Sequence, residues 1–156
     1  MWARKRIEIE LRDPWLSHYF KIDRNGDNRV TLTLKVKSLI EDTPYQSLCF
    51  AINYHDQHPF HPPKIFFGKH FIHPNVIGGY LYVPSLTGND WCPAQTALMT
   101  ALTILTLLRE PFICDEVYTR EGKGKEEASD VEVPPFNNDA YEMWMTDPES
   151  YQLFVN

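Results

Sequence analysis

The sequence predicts an α+β domain in which an antiparallel sheet is covered by a long helix. The first indication is strict alternation of apolar with Thr and Lys side chains over Val30, Leu32, Leu34 and Val36, which is typical of a half-buried strand. Two further strands are predicted at about 48–54 and 64–67, and short turns between consecutive strands favour an antiparallel meander. From 95 to 109, apolar residues recur at three- and four-residue steps, which predicts a helix.

This central helix has recognisable ends. Thr96 is a candidate N-cap and Pro111 stops the helix. The predicted buried stripe consists of Leu98, Ala101, Leu102, Leu105 and Leu108. Near the C-terminus, Asn137 or Asn138 can cap one more helix, and Asp147-Pro148-Glu149 supplies a cap, a first-turn proline and a first-turn acid for another.

Length, charge and cysteine content restrict the class of protein. A chain of 156 residues and 18.3 kDa fits a single domain over 1–156. A net charge of −6 argues against nonspecific binding to nucleic acid. No apolar run has the length of a membrane span, and the first residues lack a signal-peptide core, so we expect a cytoplasmic or nuclear protein. The three cysteines have no paired spacing; Cys49 is interpreted as a core residue.

One segment lacks the apolar pattern of a helix or a strand. Residues 119–130 are charged, contain glycine and hold almost no large apolar side chain. Such a segment cannot bury enough surface to order itself. A flexible acidic loop, inserted into the domain at about 115–132, is therefore predicted.

The densest motifs lie between 58 and 93 and resemble the core of the ubiquitin-conjugating enzymes. The matching stretches are His58-Pro59-Phe60-His61-Pro62-Pro63-Lys64, then His73-Pro74-Asn75, then Gly79 to Val83, and finally Trp91-Cys92-Pro93-Ala94. The resemblance implies the fold of that family, with an N-terminal helix, a meander of about four strands, a long central helix and C-terminal helices. The pattern of residues 2–12 by itself is compatible with a strand and also with a helix that has Trp2, Arg6 and Ile9 on one face. We favour the helix.

The resemblance places Tyr82 where the family carries its catalytic cysteine. A thiolate attacks and leaves readily at neutral pH, whereas a tyrosine with a pKa of about 10 is ionised in only about one part in a thousand at pH 7. The chain is therefore similar to the catalytically inactive variants of the family. The run from Gly79 to Leu86 is especially similar to the endosomal sorting variants, which bind ubiquitin and Pro-rich peptides.

Three other residues bear on catalysis. In the family, the asparagine that matches Asn75 supports the oxyanion or the loop that holds it. An Asn after Pro can also stabilise a turn through its own backbone, and we favour this structural role. His73 is interpreted in the same way, as a structural residue of the turn. Cys92 lies just before the central helix, where a helix N-terminus can lower a thiol pKa. It is the outside candidate for a displaced nucleophile, although the family has a serine there.

The resemblance also implies surfaces for partners. In the family, RING ligases bind two adjoining loops, and the matching residues of this chain are Phe60, Pro93 and Ala94. The alternative for Phe60 is packing against Trp91. Basic residues near the N-terminus match a region that contacts the activating enzyme, and the alternative is a solvated basic face: Arg4, Lys5 and Arg6. Expected partners are an active conjugating enzyme, a RING ligase or ubiquitin.

A metal site is a weaker interpretation of the His-x2-His-x2-His run. His55, His58 and His61 have a conceivable ligand spacing, but intervening prolines prevent the helix that would align them. We expect no metal and no cofactor. Three functional classes remain: a regulatory subunit of ubiquitin conjugation, a peptide- or ubiquitin-binding adaptor, and an active enzyme that uses Cys92.

Overall fold

The computed structural model describes residues 2–114 and 134–155. The predicted loop at about 115–132 lies outside these described residues. The helices are α1 (Trp2–Leu11), α2 (Pro14–Tyr19), α3 (Pro84–Thr87), α4 (Ala97–Arg109), α5 (Asn138–Thr146) and α6 (Pro148–Val155), with a short 3₁₀ helix at Lys37–Ile40. The strands are β1 (Phe20–Arg24), β2 (Arg29–Leu34), β3 (Cys49–Asn53), β4 (Lys64–Phe66), β5 (Val76–Ile77) and β6 (Tyr80–Leu81).

In the described part of the chain, six strands form one antiparallel sheet in the order β1-β2-β3-β4-β6-β5. The predicted meander of about four strands corresponds to β1–β4. The two additional strands have two residues each, too few to show a period in the sequence. Gly78 and Gly79 connect them with positive φ, and a Cβ on Gly79 would lie 2.5 Å from the Gly68 carbonyl oxygen, so this close approach requires glycine.

The core lies between the sheet and α4. Inward-facing strand residues and one side of α4 belong to a single apolar cluster, which includes Val30, Leu32, Ile52, Ile65, Ala101, Ile104, Leu105 and Leu108. Thr96 caps α4 as predicted, because its Oγ1 accepts a hydrogen bond of 3.3 Å from the Met99 amide. The predicted stripe is wrong at Leu102, which is exposed, whereas Ile104 and Leu107 are buried. The helix is apolar on most sides, so spacing alone did not select the buried side.

The N-terminal helix is confirmed, and the face that holds Trp2, Arg6 and Ile9 is not the one that it buries. Trp2 and Ile9 are 83% and 64% exposed. The buried face of α1 is instead Ala3, Ile7 and Glu10. Both triplets recur at helical spacing, and contact with α4 selects the second one.

Cys49 is also placed differently from its prediction as a core residue. It is exposed, with its Sγ 3.4 Å from the Thr33 Oγ1 on the neighbouring strand. The alternation along β3 turns Phe50 and Ile52 inward. Since neighbouring strand residues point to opposite faces, Cys49 lies on the outer face of the sheet.

The two C-terminal helices are capped as predicted. The Ala140 amide donates to Asn137 Oδ1 over 3.1 Å, and the Ser150 amide donates to Asp147 Oδ1 over 3.2 Å. Tyr151 anchors α6 in the core, where it is fully buried. Its hydroxyl lies 2.6 Å from the Tyr45 hydroxyl and donates to the Ile72 carbonyl over 3.0 Å.

We predict that Tyr151→Phe lowers the free energy of unfolding by about 1 kcal/mol, the net value of a typical hydrogen bond. The loss is modest because the Tyr45 hydroxyl retains its own bond to the Ile72 carbonyl. Tyr151→Ala should cost about 3–5 kcal/mol, because it also leaves a cavity. Denaturant unfolding measures both values. Leu153→Ala, at a site 83% exposed on the same helix, is the matched control. Equal losses for the control and for Tyr151→Ala would contradict the anchoring role.

Candidate functional site

Tyr82 directly follows β6 and precedes α3, at the position that the sequence predicts for the cysteine slot. Its backbone amide donates to the Asn75 carbonyl over 2.8 Å, and its side chain is partly buried. The residue lines two surface cavities. One, of about 320 Å³, is also lined by Lys64 and Tyr80. The other, of about 200 Å³, is also lined by Pro84 and Pro135.

His73 is a buried, neutral member of the adjacent turn. Its Nδ1 accepts a hydrogen bond of 3.0 Å from the Asn75 amide, and its Nε2 donates to the Leu107 carbonyl over 2.7 Å. Burial lowers the pKa of His73 to about 4, because desolvation disfavours the charged imidazolium. Both ring nitrogens are thus occupied in holding the turn against α4.

The Asn75 side chain ties the segment after α4 to this turn. Its Nδ2 donates to the Phe112 carbonyl over 2.7 Å, and the Phe112 amide donates to its Oδ1 over 2.9 Å. Both ends of the buried carboxamide therefore pair with the backbone of one residue. The carboxamide thus makes structural contacts with a residue 37 positions further along the chain, whereas the sequence led us to expect a bond to the backbone of its own turn.

The two predicted partner loops lie side by side. The Trp91 indole Nε1 donates to the Pro59 carbonyl over 2.7 Å, which links the loop of Phe60 to the loop of Pro93 and Ala94. Phe60 is 70% exposed, so the alternative in which it packs against Trp91 is wrong. Pro93 and Ala94 are exposed as well. An apolar aromatic, a proline and an alanine are therefore presented on neighbouring loops.

Comparison with known proteins identifies the family. Residues 6–156 match the family model described as ubiquitin-conjugating enzyme. The chain belongs to the ubiquitin-conjugating enzyme family. It is similar to the ubiquitin-conjugating enzyme E2 ubc-18 of Caenorhabditis elegans, with 31% identity over 116 residues, which cover 71% of this chain and 75% of that relative. Membership supports involvement in ubiquitin conjugation, and the observed α+β architecture fits the fold of the family.

The basic residues of α1 in this member of the family do not form one uniform face. Arg4 and Lys5 are exposed, and Arg4 forms an ion pair of 3.3 Å with Asp27. Arg6 is turned inward: its Nε donates to Glu10 over 2.7 Å and its Nη2 donates to the Pro93 carbonyl over 2.8 Å. Sequence patterning treated the three as equivalent, because the inward contact joins residues 87 positions apart.

Cys92 lies away from the cavities at Tyr82, whereas Cys114 lies beside Asn75. Cys92 is exposed in the turn before α4, where its carbonyl accepts a hydrogen bond of 2.9 Å from the Gln95 amide. It is not among the described residues that line the cavities at Tyr82. Cys114, which the sequence left without a role, lines a cavity of about 430 Å³ with Asn75 and Tyr141. The bonds between Asn75 and Phe112 bring it there, and no local motif signals this.

The three histidines of the His-x2-His-x2-His run do not converge. His58 is fully buried with its Nε2 2.6 Å from Glu10 Oε2, whereas His55 and His61 are exposed and stack with ring centroids 4.3 Å apart. Across residues 2–114 and 134–155, no group of three or more His, Cys, Asp or Glu side chains is arranged to hold a metal ion. Within the same ranges, no helix is both long and apolar enough to cross a membrane.

We predict that His73 makes the protein less stable as the pH falls from about 6.5 to 4. Above pH 6.5 the His73 side chain is neutral in both the folded and the unfolded state. Below pH 6.5 it binds a proton in the unfolded chain, whereas in the folded protein it stays neutral down to about pH 4. The free energy of unfolding should fall by up to about 3 kcal/mol over this interval, at about 1.4 kcal/mol per pKa unit. Denaturant unfolding of the wild type and of His73→Gln isolates the effect. Identical pH slopes for the two proteins would exclude it.

Proposed function

We propose that this chain is a non-catalytic member of its family that acts as a regulatory or adaptor subunit in ubiquitin or ubiquitin-like conjugation. The observation that carries the proposal is Tyr82, which lies directly after β6 and which the resemblance matches to the catalytic cysteine of the family. In this proposal the chain binds an active conjugating enzyme, a RING ligase or ubiquitin, and acts in the cytoplasm, the nucleus or both.

The chemistry of the phenol supports this proposal. Thioester transfer needs a group that is substantially ionised at neutral pH and that leaves easily, and a cysteine thiol meets both needs. A phenol is a weaker acid than a thiol and a poorer nucleophile at neutral pH, and an aryl ester would be a different intermediate. The Asn75 carboxamide is engaged at both ends with Phe112, which gives this asparagine a structural use that does not depend on a nucleophile.

The exposed loops support the binding role. Phe60, Pro93 and Ala94 lie on two loops that the Trp91 indole joins. A large aromatic held 70% exposed at a loop tip leaves apolar surface in water, and such surface marks interaction sites when it is clustered. This surface does not include Tyr82, so loss of the nucleophile leaves it intact.

Two alternatives follow from specific residues. Tyr82 followed by Val83 and Pro84 resembles the endosomal sorting variants, and Pro84 lines the cavity of about 200 Å³ beside Tyr82; this favours an adaptor for ubiquitin or Pro-rich peptides. The second alternative is an active enzyme with Cys92 as a displaced nucleophile. Its support is the exposure of that thiol just before α4.

We predict that the chain forms no thioester with ubiquitin. After incubation with activating enzyme, ATP and ubiquitin, non-reducing gels should show no thiol-sensitive adduct, whereas an active conjugating enzyme in a parallel reaction should show one. An adduct that disappears in Cys92→Ala would establish the displaced-nucleophile alternative. An adduct that survives Cys92→Ala and disappears in Cys114→Ala would place the nucleophile in the cavity beside Asn75. Either adduct would refute the non-catalytic proposal.

We predict that Phe60→Ala weakens partner binding by about 1–3 kcal/mol, the range of an aromatic anchor at an interface. The melting temperature should stay nearly unchanged, because the side chain is 70% exposed. The probes are a panel of isolated RING domains, an active conjugating enzyme and free ubiquitin, measured by calorimetry. Trp15→Ala is the matched control, since Trp15 is another exposed aromatic and lies on α2. A large loss of stability with unchanged binding would remove Phe60 from the interface.

A further inference from the structure

A carboxylate is buried where α1 meets the two exposed loops. The Glu10 side chain is only 3% exposed, and its Oε2 atom receives two donors. Arg6 Nε lies 2.7 Å away on the same helix, and His58 Nε2 lies 2.6 Å away from the base of the Phe60 loop. His58 itself is fully buried. One oxygen atom therefore connects a helix with a loop 48 residues further along the chain.

The same network reaches the second loop through the other end of Arg6. Its Nη2 donates to the Pro93 carbonyl over 2.8 Å and also lies 3.4 Å from the Gln95 carbonyl. Glu10 thus fixes the guanidinium that holds the Pro93 backbone, and it fixes the imidazole two residues before Phe60. The Trp91–Pro59 bond joins the two loops directly. Two loops and one helix are closed into a ring of hydrogen bonds.

Buried ion networks of this kind contribute geometry more than stability. Removing the charges from water offsets most of their mutual attraction, whereas loss of one partner leaves a buried charge without compensation. The carboxylate therefore holds both donors in place. Phe60 and Pro93 are exposed and have little packing of their own, so the hydrogen bonds of their backbones set their positions. Arg6 serves Glu10 and the Pro93 carbonyl from two different nitrogens of a rigid planar group, whereas Lys has a single nitrogen at the end of a flexible chain.

We propose that Arg6, Glu10 and His58 are positioning residues that hold the Phe60 loop (residues 55–63) and the Pro93 segment (residues 91–95) together as one partner-binding surface. This inference rests on the proposed function for the identity of the partner, but the coupling of the loops is a property of the free protein. A disturbance on one loop is transmitted to the other through Glu10.

Three protons report on the network in the free protein. The Phe60 amide donates to the Gln57 carbonyl, the Gln95 amide donates to the Cys92 carbonyl, and the Trp91 indole donates to the Pro59 carbonyl. Their hydrogen exchange can be followed by NMR in Arg6→Lys, Glu10→Gln and His58→Asn. Arg6 is only partly buried, so Arg6→Lys remains informative if substitution of a buried member of the network prevents folding.

Arg6→Lys is expected to speed exchange of the Phe60 amide at least fivefold, although the bonds of Arg6 within residues 2–114 and 134–155 go to Glu10 and to the second loop. His58→Asn is expected to speed exchange of the Gln95 amide in the same way, and Glu10→Gln should affect all three reporters. Asp42→Asn, which breaks the exposed ion pair with Arg109, is the control and should change none of them. If each substitution affects only its own loop, the loops have separate anchors and the network is refuted.

Binding gives the second test. With a RING domain that binds the wild type, Phe60→Ala and Pro93→Ala should be non-additive by at least threefold in Kd, and additive in a Glu10→Gln background. Additivity in the wild type would overturn the single surface. If no RING domain binds the wild type, the ligase-binding part of the proposed function fails. The exchange measurements then decide separately whether Glu10 couples the two loops.

Discussion

The hydrogen-bonded turn from His73 to Asn75 is the constraint on which the rest of the site depends. His73 holds the turn to the Leu107 carbonyl of α4, the Asn75 side chain holds the backbone of Phe112, and the Asn75 carbonyl receives the amide of Tyr82. One turn thus connects helix α4, the chain that follows it and the backbone of Tyr82. Its side-chain polar groups are buried and paired, so they resist rearrangement.

This arrangement gives the His-Pro-Asn motif a structural use that does not depend on the side chain at position 82. The fold needs the Asn75 side chain to hold the Phe112 backbone, and it needs both His73 ring nitrogens for hydrogen bonds, whatever side chain stands at 82. Retention of the His-Pro-Asn motif therefore does not by itself indicate catalysis. The surface of Phe60 and Pro93 is connected to α1 instead, through Glu10 and Arg6.

Sequence reasoning succeeded where the signal is local and failed where two faces competed. Alternation along Val30, Leu32 and Leu34 located the inner face of β2, and Thr96 marked the start of α4 correctly. On α1, apolar spacing was compatible with either of two faces, and packing against α4 chose the one containing Glu10. Burial of a carboxylate could not be anticipated from spacing, because it requires donors that come from elsewhere in the chain.

The sequence by itself determined the family, the order of the main elements and their caps, since all of these depend on short spacings along the chain. Only the tertiary structure decided that Arg6 points inward, that His58 meets Glu10 instead of a metal, that Phe60 is exposed, and that Cys114 lies beside Asn75. These features depend on which residues, distant in sequence, come into contact in the folded chain. Their geometry follows from how the sheet and α4 pack, which a one-dimensional pattern does not contain.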